Sequence, residues 1–195
     1  MITLSRVFVS PLFILFFVID EVWSLFICVL LAAVIELSDF LDGVVARKYQ
    51  QISDFGKLMD PFADSIARFT IFLCFLSVNL APVWIIVIFF YRDTLVAVVR
   101  VFASREGIVV AARRSGKIKA WVQGICIFVV LAVLLMQKTS PMPDIFGAPL
   151  YIVLTTVCIS IAALVTLWSA IDYWSGNSSV VIKSMKINKN IPPAD

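Results

Sequence analysis

Four aspartates mark where this 195-residue chain could do chemistry. Asp39 and Asp42 are three positions apart and Asp60 and Asp64 four, in a sequence that is 62% hydrophobic and 15% charged. Ionisable groups in so apolar a chain are expensive to keep, so each is a candidate for function. On helices, each pair occupies one face. Gly43 and Ala46 follow Asp39 at i+4 and i+7, and Gly56 precedes Asp60 by four. Small residues on the carboxylate face let a bulky ligand lie against the backbone. A polar stretch, residues 48–54, separates the pairs. Two antiparallel helices joined there bring the pairs face to face, roughly 9–16 Å below the turn at 1.5 Å per residue.

Four carboxylates that close repel one another and must be protonated or neutralised by cations. An all-oxygen donor set suits Mg²⁺ or Mn²⁺, and a chain without histidine is a poor zinc site. A divalent pair beside Arg47 is the equipment of phosphoryl transfer. The alternative is a helix-pairing cluster of protonated or salt-bridged carboxylates, with Arg47, Lys48, Lys57 and Arg68 as the nearby bases.

A second set of charges lies downstream. Arg92 and Arg100 are eight apart, hence on nearly one helix face, and Lys117 and Lys119 open the next apolar run. Asp93 is expected to answer only one of these cations. A phosphate-bearing ligand could answer the rest, since guanidinium groups bind phosphate bidentately. Arg105, Arg113 and Arg114 are assigned instead to a basic belt against anionic lipid heads.

The elements that must hold these residues follow from hydropathy. Mean hydropathy is +1.03, a polytopic membrane composition rather than a soluble one. Six spans of bilayer length are expected at about residues 4–18, 23–49, 53–78, 82–103, 118–136 and 149–173. The expectation is thus an all-α membrane domain over residues 1–174 and a polar tail over 175–195. The N-terminal run lacks a small-residue cleavage pattern and is read as a retained span. Cys28, Cys74, Cys126 and Cys158 stand singly in apolar runs, as small hydrophobes do. Basic residues crowd the second and fourth turns and the tail. By the positive-inside rule both termini and the carboxylate cluster then face the cytoplasm. An ion site of a small cation transporter is the rival from another class, but such sites usually sit at the midplane rather than near one face.

The pattern D-x2-D-G-x2-A-R-x8-G-x3-D-x3-D, met at Asp39, Asp42, Gly43, Ala46, Arg47, Gly56, Asp60 and Asp64, resembles the signature of the CDP-alcohol phosphotransferase family. Arg92-Asp93, Arg100, Glu106-Gly107, Gly116-Lys117-Ile118-Lys119 and the opening Leu4-Ser5-Arg6 with Pro11 are similar to its branch that uses sn-glycerol 3-phosphate. Asp93 and Ser65 depart from it, standing where glutamate and lysine are usual. The resemblance implies transfer of the phosphatidyl group of CDP-diacylglycerol to glycerol 3-phosphate, giving phosphatidylglycerophosphate and CMP. Inositol phosphate, serine or phosphatidylglycerol are the alternative acceptors. It further implies two Mg²⁺ or Mn²⁺ ions on Asp39, Asp42, Asp60 and Asp64, with Asp64 as the base. Nucleotide contacts fall to Asp42, Gly43, Ala46, Arg47 and Gly56, and the acceptor phosphate to Arg92, Arg100, Lys117 and Lys119. The implied setting is a bacterial inner membrane, with membrane lipids as surroundings, a homodimer, and no nucleic acid partner.

Overall fold

The computed structural model describes the backbone at positions 2–49, 54–105, 113–140, 142–145 and 147–187, and side chains at 6, 8–38, 65–101, 103, 113–140, 142–145 and 147–178. Within these the chain is mostly helical: α1 (Ile2–Ile19), α2 (Val22–Tyr49), α3 (Asp54–Ser77), α4 (Val83–Arg105), α5 (Arg114–Thr139) and α6 (Leu150–Ile187). A two-residue hairpin, β1 (Asp144–Ile145) with β2 (Ala148–Pro149), is the one departure from all-α among the described residues. Gly147 closes it at φ 77°, a conformation that favours glycine.

Local chemistry sets the helix ends. Asp20 ends α1 in the left-handed region at φ 55°. The Ser24 hydroxyl then accepts from the Glu21 N–H and donates to the Glu21 carbonyl, starting α2. At the end of α3, Asn79 takes φ 60°. Its N–H donates to the Leu76 carbonyl and that of Leu80 to Phe75, each at 3.0 Å. This is a Schellman closure with asparagine at the left-handed position.

Helix α1 packs on α2 and α3, α5 on α6 and α2, and α4 on α3 and α6. Buried aromatics fill the centre: Phe17 meets Phe75 with ring centroids 5.9 Å apart, and Phe72 meets Phe89 at 4.7 Å. Ala32, Ala67, Ala162 and Ala163 are buried, small residues that let helices approach closely. The outside is apolar as well, with Phe8, Leu15, Phe26, Leu30, Leu164 and Ile171 all exposed. Among the described residues, Arg114–Thr139 and Leu150–Ser178 are long and apolar enough to cross a membrane.

Two contacts fix how the helices alternate. Lys138, at the end of α5, pairs with Asp20 after α1 at 2.6 Å. The Thr156 hydroxyl, early in α6, donates to the Leu80 carbonyl after α3 at 3.3 Å. The ends of α1, α3 and α5 therefore share one end of the bundle, and the C-terminal ends of α2 and α4 lie toward the other.

Helix α6 differs from the sequence expectation. It continues to Ile187, through positions assigned to the polar tail. The polar run there does not break it, because Ser175 and Asn177 donate back to the Asp172 and Tyr173 carbonyls at 3.0 and 2.8 Å. Back-bonds of this kind, three or four residues toward the N-terminus, are made within a continuing helix. Helix α5 starts earlier than expected, at Arg114, which brings Gly116 and Lys117 into its first turn.

Candidate active site

The signature residues divide between two helices. Asp39, Asp42, Gly43, Ala46 and Arg47 lie on the helical backbone of α2, and Gly56, Asp60 and Asp64 on that of α3. Their side chains, and with them the expected cation and nucleotide contacts, lie outside the described residues. What the structure does show is how the two helices are joined beside them. The Arg68 Nε–H and an Nη2–H donate to the two Glu36 carboxylate oxygens, both at 2.9 Å. Glu36 is three residues before Asp39, and Arg68 four after Asp64. This fork ties α2 to α3 one turn from the signature aspartates.

The oxygen-only chemistry of those four aspartates fits hard divalent ions. The clasp beside them holds their two helices together.

Beyond Arg68 opens a cavity of about 670 Å³ between α3, α4, α5 and α6. Arg92, Arg100, Lys117 and Lys119 all line it, so the expected cationic set comes together from two helices. One expectation needs correcting. Asp93 answers two cations, not one: its carboxylate accepts from Lys119 Nζ at 2.8 and 2.9 Å and from Arg92 Nη1 at 2.9 Å. Arg92, next to Asp93 on α4, and Lys119, from α5, meet at one carboxylate because both helices face this space. Arg92 also donates to the Ser169 hydroxyl at 2.8 Å, which fixes its guanidinium against α6. Gly116 completes the fit, since a Cβ there would stand 3.2 Å from Arg92 Nη2.

The cavity is left with donors in excess. Arg92 Nε, Arg100 Nε and the Tyr173 hydroxyl are buried without a hydrogen-bond partner among the described residues. Buried donors are ordinarily satisfied, and two of these belong to guanidinium groups, whose strongest partners are carboxylate and phosphate. Phe69 and Phe72 of α3 and Phe89 and Phe90 of α4 add apolar surface to the same lining. The cavity thus combines cationic and apolar lining.

The belt assignment is also corrected in part. Arg113 lines the cavity and pairs with the Asp172 carboxylate of α6 at 3.2 Å. It donates to the Asp172 carbonyl as well, and Ser115 donates to the same carboxylate. Arg114 is exposed, as a belt residue should be, and the Arg105 side chain lies outside the described residues. Glu36, Asp172 and Ser169 lie outside the set expected from sequence. Glu36 carried a usable signal, a charge in an apolar run at i−3 from Asp39. Asp172 and Ser169 carried none, because their partners are 57 and 77 positions away.

A sequence model of the CDP-alcohol phosphatidyltransferase family matches residues 1–182. The chain belongs to that family, and it is a transferase. Among its relatives are three named CDP-diacylglycerol–glycerol-3-phosphate 3-phosphatidyltransferase. That of Treponema pallidum (strain Nichols) is 46% identical over 91 residues, 47% of this chain and 42% of the relative. That of Bacillus subtilis (strain 168) is 30% identical over 142 residues, 67% and 74% respectively. That of Shigella flexneri serotype 5b is 30% identical over 180 residues, 90% and 91%. The family is generally dependent on a divalent metal.

Proposed function

We propose that the chain transfers the phosphatidyl group of CDP-diacylglycerol to sn-glycerol 3-phosphate, releasing CMP. The observation that carries this reading is the cavity whose buried arginine Nε donors lack a partner among the described residues, beside the helices of the signature aspartates. The relatives' shared name supports the same donor and acceptor.

In the reaction the acceptor hydroxyl oxygen bonds to the phosphorus that bears diacylglycerol, and the bond from that phosphorus to the CMP oxygen breaks. Asp64 takes the hydroxyl proton. Arg47 holds the diphosphate, and Gly43, Ala46 and Gly56 let the nucleotide lie close to the backbone, with Asp42 beside it. Arg100 and Lys117 bind the acceptor phosphate. Arg92 and Lys119 border it while sharing Asp93, so the pair of cations keeps a net positive charge. Asp39, Asp42, Asp60 and Asp64 would hold two Mg²⁺ or Mn²⁺ ions, which supply neutralisation of the diphosphate's charge. Positioning and charge neutralisation account for most of the acceleration in such a site.

All six helices span the membrane in this reading, with the site opening to the cytoplasm at the inner membrane of a bacterium. The tryptophans support two water–lipid boundaries. All five are exposed: Trp23 and Trp84 near one end, Trp121, Trp168 and Trp174 toward the other. Paired aromatic girdles mark both interfaces of membrane proteins. The test is CMP release by the purified protein with CDP-diacylglycerol and a panel of acceptors. Glycerol 3-phosphate should exceed serine, free glycerol and inositol phosphate. CMP release with serine as the best acceptor would refute the acceptor assignment.

A further inference from the structure

The Glu36–Arg68 fork lies outside the signature pattern, and no step above uses it. It is well buried, with the Arg68 side chain 6% and that of Glu36 20% exposed. An ion pair so placed contributes little net stability, because desolvation offsets most of the attraction. Its location suggests another use. A planar guanidinium on a carboxylate through two parallel bonds fixes both distance and rotation, which a single contact does not. On the helical period Asp39 and Gly43 share the Glu36 face of α2, and Asp64 shares the Arg68 face of α3.

The third component is Gly124 of α5. A Cβ there would lie 3.1 Å from Glu36 Oε2 and 3.3 Å from its carboxyl carbon. The Glu36 carboxylate therefore rests against the α5 backbone, at a place where any side chain would press on it.

We infer that the Glu36–Arg68 pair, seated on Gly124, is a positioning device that fixes the register of α2 against α3 and so sets the affinity of the four signature aspartates for divalent cations. This rests on the two-cation reading given above. Sliding one helix by a single residue moves its carboxylates about 1.5 Å. Mg²⁺ demands near-ideal octahedral geometry at about 2.0–2.1 Å, and metal sites tolerate errors of only about 0.2 Å. A pair of helices bearing half a site each needs its register locked, and the lock is most effective next to the ligands.

The experiment measures Mn²⁺ binding to the purified full chain in detergent by electron paramagnetic resonance, with thermal melting and acceptor KM alongside. Arg68→Lys keeps the charge and loses the fork, and should weaken Mn²⁺ binding by about tenfold, the low end for residues that orient metal ligands. Gly124→Ala keeps both charges and displaces the Glu36 carboxylate by a few tenths of an ångström. It should weaken binding in the same direction by a smaller factor, and it carries the test if Arg68→Lys does not fold. In both variants the KM for glycerol 3-phosphate should stay within about twofold. Wild-type binding that Arg68→Lys and Gly124→Ala leave unchanged overturns the inference. So does a raised acceptor KM with unchanged Mn²⁺ affinity, which would make Arg68 an acceptor ligand. Failure of the wild-type chain to bind Mn²⁺ overturns the two-cation reading itself, and the clasp's role with it.

Discussion

Two lysine–aspartate pairs in this molecule have nearly the same bond length and opposite circumstances. Lys138 meets Asp20 at 2.6 Å at the end shared by α1, α3 and α5, with side chains 29% and 63% exposed. Lys119 meets Asp93 at 2.8 Å inside the bundle, with side chains 5% and 15% exposed. Water screens the first, and such pairs are worth about 0–1 kcal/mol. The second has lost its water and recruits Arg92 to the same carboxylate, while Arg92 in turn takes Ser169. A bundle that needed only to fold could have put leucines there. It instead keeps an excess of positive charge around a cavity, with Arg100 unanswered among the described residues. One end of the molecule uses charge to close a turn, and in the proposed function the interior uses it to receive an anion.

The sharpest way to break this contrast is to remove charge from the catalytic side. Asp60→Asn should abolish turnover while the protein still folds in detergent, because it deletes one of the proposed cation ligands. Activity retained within about tenfold, ~1.4 kcal/mol of barrier, contradicts the role given to Asp60. Chelation with EDTA should silence the wild-type chain, with Mg²⁺ or Mn²⁺ restoring it and zinc substituting poorly. Full activity after thorough chelation would count against a cation site.

The next effect in size is on stability. Asp93→Asn leaves Lys119 and Arg92 buried without their counter-charge, and breaking such a pair costs about 3–5 kcal/mol. Denaturation in detergent should show the loss, and Asp93→Asn combined with Lys119→Met should recover part of it. A stability unchanged by Asp93→Asn would mean that the interior cations are solvated after all. The smallest effect belongs to the exposed pair. Lys138→Ala should change stability by no more than about 1 kcal/mol and leave both substrate KM values alone. A large loss there would erase the distinction between the two pairs.

Much of this is legible in the sequence, for reasons that differ by region. The six helices are long apolar runs whose boundaries are marked by polar residues, as at Asp20-Glu21 and at Asn79. The aspartate pattern is local, two short stretches with fixed spacing, so it names its residues without a fold. The cationic cavity was half legible. Arg92 and Arg100 declare themselves by helical spacing, and Lys117 and Lys119 by opening α5. Their neutralisation was not legible, because it depends on which helix faces which. Asp93 holding two cations, Arg113 turning inward to Asp172, and Glu36 reaching Arg68 across 32 positions are all consequences of packing. The helical continuation of α6 was not legible because a run of serine, asparagine and glycine reads as a helix end, whereas here Ser175 and Asn177 bond back to the helix.

The central claim is that donor and acceptor are held by different charges, and Arg100 tests it most directly. Steady-state kinetics of Arg100→Ala, varying CDP-diacylglycerol and glycerol 3-phosphate in turn, should raise the acceptor KM about ten- to a hundredfold, the loss of a charged hydrogen bond at about 1.5–3 kcal/mol. The donor KM should barely move. Equal increases in both KM values, or no change in either, would contradict the account.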